Sequence, residues 1–298
     1  MFSSETTPTP DIKKPSSLIN AQQLKLLMST DKSLLIIDVR PTIYYFTGHI
    51  PEAQNLWRPD YEADQGEYPF GGMRASQRKM ERLLSRLGVE EETRLILYDN
   101  NNNVDAARLW WILKLYGHNQ VVLLDGGLDA WKRQVYPIRL KSPSAPVTSD
   151  YRFNTQQANL QWLAGLEDVK TAHNDKRVVL LDVRSLSEAT GQKQMSGAFR
   201  KGRIPHSVWL EYSNAMNDND FFSEPELQAL FAKKGVTPDH KIIVYCQSGV
   251  RSAHTHFVLK ELLGFPHVSN YDGSWIEWSY FKELPVDTGT IENNQESL

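Results

Sequence analysis

The chain has 298 residues, a formal charge of −3 and a single cysteine, Cys246. One cysteine excludes an intramolecular disulfide, and without a Cys-x-x-Cys pair the common zinc frameworks are missing, so neither a metal nor a cofactor is expected. The evenly mixed charges offer no basic stripe to a phosphate backbone, which excludes nucleic acid as an expected direct partner, and no run of about 18 apolar residues is present to span a membrane.

The amino terminus, Met1 to Pro15, is rich in Ser, Thr and Pro and lacks a basic start followed by an apolar stretch, so it does not read as a secretory signal. Residues 1–16 are expected to be disordered, and the lone cysteine fits a reducing, cytoplasmic setting. The first strand signal is Leu34-Leu35-Ile36-Ile37, which ends in Asp38-Val39-Arg40 and is followed by Gly48-His49-Ile50-Pro51. Leu95-Ile96-Leu97-Tyr98 is a second apolar run, leading into a loop from Asp99 to Asn103 and a helical stretch from Ala106 to Tyr116. Leu124-Asp125-Gly126-Gly127 and Trp131 close this half. Residues 139–150, with Ser142-Pro143-Ser144-Ala145-Pro146, read as an exposed and fairly stiff linker.

The same order then returns. Val178-Val179-Leu180-Leu181-Asp182-Val183-Arg184 repeats the first Asp-Val-Arg strand end, Gly202-Arg203-Ile204-Pro205 the Gly-x-Ile-Pro turn, and Ile242-Ile243-Val244-Tyr245 the second apolar run. Tyr271-Asp272-Gly273-Ser274 and Trp278 match Leu124-Asp125-Gly126-Gly127 and Trp131, and a helical stretch from Glu224 to Lys233 precedes the Ile242 run within this copy. Strands alternating with helices in both copies predict two α/β domains, each a parallel sheet with helices on both faces. The expected limits are 17–138 and 151–287, with a flexible tail at 288–298.

The copies differ at one loop. Tyr98 is followed by Asp99 and four asparagines, whereas Tyr245 is followed by Cys246-Gln247-Ser248-Gly249-Val250-Arg251-Ser252 and a helical pattern from Ala253 to Leu263 that stops at Gly264. A thiol between a strand and a helix faces unpaired N–H groups and the positive end of the macrodipole, and Arg251 adds a full charge beside it, so the thiolate is favoured and Cys246 reads as a nucleophile. The first loop has no glycine to let it wrap an anion and no counterpart of Arg251. The first domain is therefore expected to be structural or to supply one wall of the site, with a small ligand held in a cleft between the domains. His254 and His256, two apart on a helix, point to different faces and are not metal ligands. His206 and His267 read as surface or turn residues.

In combination and in this order, the Asp-Val-Arg strand ends, the Gly-x-Ile-Pro turns, Tyr-Cys-x-x-Gly-x-Arg-Ser and Asp-Gly-Ser-Trp-x-Glu-Trp resemble the two-domain rhodanese family of sulfurtransferases. The resemblance implies two tandem domains with five-stranded parallel sheets and catalysis confined to the second. It gives Cys246 the sulfur-carrying role and makes Gln247, Ser248, Gly249, Val250 and Arg251 the cradle of the persulfide. The partners it implies are a small sulfur donor and a thiophilic acceptor, or a protein that accepts the sulfur. Asp182 and Arg184 lie at the strand edge where open α/β sheets bind ligands. Asp38 and Arg40 repeat them in the other copy, so a structural ion pair is at least as well supported as substrate contact. Trp275 is placed either as a wall of the pocket or in the core, and Trp278 in the packing.

Two departures stand out. The pair after the cysteine, Gln247-Ser248, matches neither the basic residues of the vertebrate thiosulfate enzymes nor the Gly-Ser of the mercaptopyruvate enzymes. Where both groups carry a donor-binding arginine, alignment on Asp182 and Gly191 puts Glu188, whose charge would repel a dianion, leaving Arg184, Arg203 or Lys193 to substitute. The run Arg251-Ser252-Ala253-His254-Thr255 resembles bacterial thiosulfate sulfurtransferases, which favours thiosulfate over 3-mercaptopyruvate. Rival readings are a non-enzymatic persulfide carrier, a cysteine redox sensor, and a cysteine phosphatase. The phosphatase is disfavoured because only four residues separate Cys246 from Arg251, a cradle better suited to one sulfur than to a tetrahedral phosphate.

Overall fold

A computed structural model describes residues 17–291. The segment 1–16 and the end of the tail, 292–298, lie outside the described residues. The first half contains β1 (Leu18–Ile19), α1 (Ala21–Thr30), β2 (Leu34–Asp38), α2 (Thr42–Tyr45), β3 (Gln54–Asn55), α3 (Gln77–Arg86), β4 (Arg94–Tyr98), α4 (Val104–Tyr116), β5 (Val121–Leu124) and α5 (Gly127–Arg133). The second contains β6 (Leu163–Ala164), α6 (Leu166–Ala172), β7 (Val178–Asp182), α7 (Leu186–Ala189), β8 (Val208–Trp209), β9 (Met216–Asn217), β10 (Asp220–Phe221), α8 (Glu224–Ala232), β11 (Lys241–Tyr245), α9 (Val250–Phe257), β12 (Val268–Tyr271) and α10 (Ser274–Tyr280).

Each half is a five-stranded parallel sheet, ordered β1-β5-β4-β2-β3 and β6-β12-β11-β7-β8. The expected α/β architecture is thus present in both copies. Parallel strands are buried on both faces, and the alternation of side chains divides each core in two. Leu95 and Leu97 of β4 join the cluster beneath α4, while Ile96 and Tyr98 join the one beneath α5. On the central strand β11, Ile242 and Val244 face one core and Ile243 and Tyr245 the other, so Cys246 continues the first of these rows. Tyr245 pairs in register with Asp182 of β7. That register brings the Asp-Val-Arg strand end beside the cysteine loop.

The helix after Cys246 begins at Val250, earlier than the apolar pattern indicates. Gly249 takes φ +77° at its N-cap, and the helix loosens into a π-turn over Val258–Leu262 before Gly264 turns the chain at φ +69°. The antiparallel ribbon β9–β10, with Asp218 at φ +53°, has no counterpart in the sequence reading because strands of two residues carry no periodicity. Residues 139–150 lie along the first domain: Arg139 exchanges both backbone hydrogen bonds with His49, and Ser149 N–H donates to Ser85.

The domains share a core. Trp110 of α4 meets Phe257 of α9 edge-on at 4.9 Å and stacks on Trp162 at 5.6 Å. The other contacts are reciprocal. Arg74 of the first domain pairs with Asp272 of the second, and Phe221 of the second donates its N–H to Asp125 of the first.

Candidate active site

Cys246 sits at the carboxyl end of β11 with 1% of its surface exposed. Its loop is fastened to the turn after β12. The N–H groups of Cys246 and Gly249 both donate to Ser274 Oγ at 3.1 Å, and that hydroxyl donates to the Tyr271 carbonyl at 2.7 Å. Trp275 and Ile276 N–H groups in turn donate to the carbonyls of Cys246 and Gln247, each at 3.0 Å. Ser274 is held at φ +51°, a conformation that side chains avoid and that three hydrogen bonds stabilise here. Gly249 has no room for more than hydrogen: a Cβ would stand 2.7 Å from both the Asp272 carbonyl and an Arg108 nitrogen. Gln247 reaches the Ser196 carbonyl at 3.4 Å, and Val250 is buried.

Burial by itself pushes the Cys246 thiol up. The charge of Arg251, the Ser252 hydroxyl at 3.4 Å from Sγ, and the N–H groups of Ser252 and Ser248 outweigh it, so the pKa lies below that of an ordinary thiol. The sulfur is enclosed, but by groups that favour its anion.

The Glu188 carboxylate, expected to repel an anionic donor, is not an open negative charge but a paired one. It lies buried in α7 and accepts two hydrogen bonds from Arg251, at 2.8 Å each, and one from Ser185 Oγ at 2.7 Å. Burial raises its pKa, but Arg251 and Ser185 prevail and draw it down to about 2. Arg184 is not free to substitute for the missing arginine. Its guanidinium grips Asp182 at 2.6 and 2.9 Å, donates to the Gly202 carbonyl and lies 4.7 Å over the Trp275 ring. Arg40 does the same with Asp38 and Gly48 in the first domain. Arg203 donates to the carbonyls of Ala189 and Gly289, and Lys193 is exposed. Trp275 lines no open wall: it is buried, with its indole N–H on the Arg200 carbonyl at 3.0 Å.

The first domain's loop corrects the reading that it cannot wrap an anion. Asp99 stands where Cys246 stands, and its carboxylate accepts N–H bonds from Asn101 and Asn103 (2.8 and 2.9 Å) and from Asp105 and Ala106 (3.0 and 3.1 Å). Asn102 and Asn103, at φ +56° and +58°, do what glycine does in the second loop. The cradle is therefore present twice, and in the first copy it is filled by the chain's own carboxylate.

The first domain also reaches the cysteine loop directly. Arg108 donates to the carbonyls of Gly249 (3.1 Å) and Gly72 (3.2 Å) and pairs with Asp272 at 2.6 Å; Arg74 holds the other Asp272 oxygen at 2.8 Å; Arg58 donates to Ser248 Oγ at 2.9 Å. Sequence reasoning missed all three arginines and Ser274. The available signal was Arg108, a cation in the first turns of the otherwise apolar helix Ala106 to Tyr116, far from the Lys114 that suits a helix's C-terminal end. His254 and His256 are buried among separate aromatic groups, Phe221 and Tyr212 for one and Trp162 and Trp110 for the other. Among the described residues no cluster of His, Cys, Asp or Glu could hold a metal, and no helix is long and apolar enough to cross a membrane.

A tandem α/β protein with one cysteine in an anion cradle at the end of a central strand defines the class. Residues 20–134 and 165–280 each match the Rhodanese-like domain, and the chain belongs to the rhodanese family of sulfurtransferases. It is 36% identical over 271 residues to "Sulfur carrier protein TtuD" of Thermus thermophilus, covering 87% of this chain and 92% of that protein. It is 30% identical over 292 residues to "Thiosulfate sulfurtransferase" of Corynebacterium glutamicum, covering 95% and 94%. Among solved structures, a cysteine-persulfide form of EanB with ergothioneine superposes with TM-score 0.82 at 25% identity, covering 92% of this chain and 71% of that one. YnjE shares the fold at TM-score 0.83 and 24% identity, covering 93% and 70%.

Proposed function

We propose that this protein takes sulfane sulfur onto Cys246 from thiosulfate, in preference to 3-mercaptopyruvate, and passes it to a thiophilic acceptor. The observation that carries this reading is a buried sulfur drawn toward its thiolate by Arg251, the Ser252 hydroxyl and two loop N–H groups. The thiolate attacks the outer sulfur of thiosulfate. A Cys246 S–S bond forms as the donor's S–S bond breaks, sulfite leaves with the bonding pair, and the persulfide anion remains. Cyanide or a thiol then attacks the outer sulfur and the thiolate departs, which makes the scheme ping-pong. The loop from Gln247 to Arg251 stabilises the negative sulfur as an oxyanion hole does an oxygen, where losing one donor costs about 10²–10³ in rate in a studied protease. Asp182, Arg184 and Trp275 act beneath the loop as its support, and Glu188 holds Arg251 in place.

Intact mass spectrometry after incubation with thiosulfate, and separately with 3-mercaptopyruvate, tests this. The expected result is a gain of one sulfur, faster from thiosulfate, removed by cyanide and absent in Cys246→Ser. No gain from either donor would overturn it. A second reading, delivery of the sulfur to a partner protein, is favoured by the relative named a sulfur carrier. It displaces the first if the loaded protein yields its sulfur to cyanide and small thiols only over many minutes.

A further inference from the structure

A dianionic donor needs a cation, and most of those around the loop are already committed. Arg74 and Arg108 share the buried Asp272, Arg184 is held by the buried Asp182, and Arg251 by the buried Glu188. Such pairs do not open cheaply, because release would leave a buried carboxylate uncompensated. Arg58 is different. It is 30% exposed, its carboxylate partner Glu62 is 27% exposed on the same turn of chain, and its guanidinium donates to Ser248 Oγ at 2.9 Å. A half-exposed pair keeps access to water and leaves no fully buried carboxylate behind when it opens, so Arg58 exchanges Glu62 for a stronger anion at less cost than the other arginines would. Ser248 lies two residues along the loop from Cys246, and its N–H is among the groups that draw the thiol toward its anion. A group bound at that thiolate therefore lies one residue away from the Arg58 guanidinium.

We propose that Arg58, a residue of the first domain, is the donor-binding and specificity-determining cation of this site, holding the anionic end of the sulfur donor. It takes over the role that Glu188 cannot fill and gives the domain without a cysteine a direct part in substrate selection. Glu62 competes with the donor for it. The class of donor selected is a small anion whose charge lies beyond the sulfur that is transferred.

The proposal rests on the sulfurtransferase reading for its substrate, so its test includes a readout that needs no turnover. Cys246 is the only cysteine, which makes alkylation specific to it. Iodoacetate carries a negative charge and iodoacetamide none, and the ratio of their rates cancels any change in the thiolate fraction. Arg58→Gln is expected to lower the iodoacetate-to-iodoacetamide ratio by about fivefold and to raise KM for thiosulfate about tenfold with kcat within about twofold. Glu62→Gln, which frees the guanidinium, is expected to move both quantities the other way. Wild-type values for the ratio and KM in Arg58→Gln would overturn the proposal. If the wild-type protein accepts no sulfur from thiosulfate, the sulfurtransferase reading fails while the alkylation ratio still decides the role of Arg58.

Discussion

Around Cys246, burial and hydrogen bonding oppose each other, and the donors prevail. The charge of Arg251 is the largest influence toward the anion although Glu188 shares it, and the Ser252 hydroxyl and the two loop N–H groups add to it. Ser252 is fully buried. Ser252→Ala is expected to raise the thiol pKa by about one unit, since a charge-assisted hydrogen bond is worth about 1.5–3 kcal/mol. A higher thiol pKa means less thiolate at pH values around the midpoint, so alkylation there slows and the midpoint moves up. A pH profile of iodoacetamide alkylation reads both changes, and an unshifted midpoint would show that the hydroxyl does not hold the anion.

The loop and the Asp-Gly-Ser-Trp turn form one unit, with Ser274 as the link between them. Glycine occupies the equivalent position in the first domain, Gly127, with the same φ of +51°. Alanine at 274 loses the hydroxyl and keeps the strain, whereas glycine loses the hydroxyl and releases it. Ser274→Ala is expected to destabilise the protein by about 2–4 kcal/mol, and Ser274→Gly by about 1 kcal/mol less. Midpoints of urea unfolding measure this. That order reverses the usual advantage of alanine over glycine in a helix. Alanine proving the milder change would show that strain at this turn is unimportant.

For the molecule as a whole, the shared core buries three neutral histidines. Desolvation lowers His118 to about 4 and His254 and His256 to about 3, from an ordinary value of 6.5. Their folded pKa values are depressed, so the unfolded chain binds the extra protons and stability falls as pH drops below 6.5. Asp105 and Asp125 act in the opposite sense, because burial raises both from 3.8 to about 6 and the folded state takes up their protons first. Between pH 6 and 4 they offset two of the three histidines, and Asp99, Glu211 and Glu277, each raised by burial, soften the decline further. Below pH 4.5 Glu188, held at about 2, adds its own loss. The expected profile declines gently from pH 6.5 to 4 and steeply below. His256→Phe, placed against Trp162 and Trp110, is expected to remove about 2 kcal/mol of the fall between pH 7 and 5, read by urea unfolding at each pH. An identical fall in the variant would show that His256 is protonated in the folded state.

The two-copy α/β plan, the pairing of Asp-Val-Arg strand ends and the setting apart of Cys246 at the second loop were legible along the chain. These features are local: apolar runs of fixed period, turn residues and a unique thiol are visible along the chain. The wiring of the site depends instead on residues distant in sequence that folding brings together. Glu188 faces Arg251 across 63 positions, Arg58 meets Ser248 across 190, and Asp99 closes on N–H groups that become donors only once the loop bends back. Charges carry no periodicity, so the chain shows which residues can ionise, and only packing determines which carboxylate each arginine reaches and which arginine stays half-exposed.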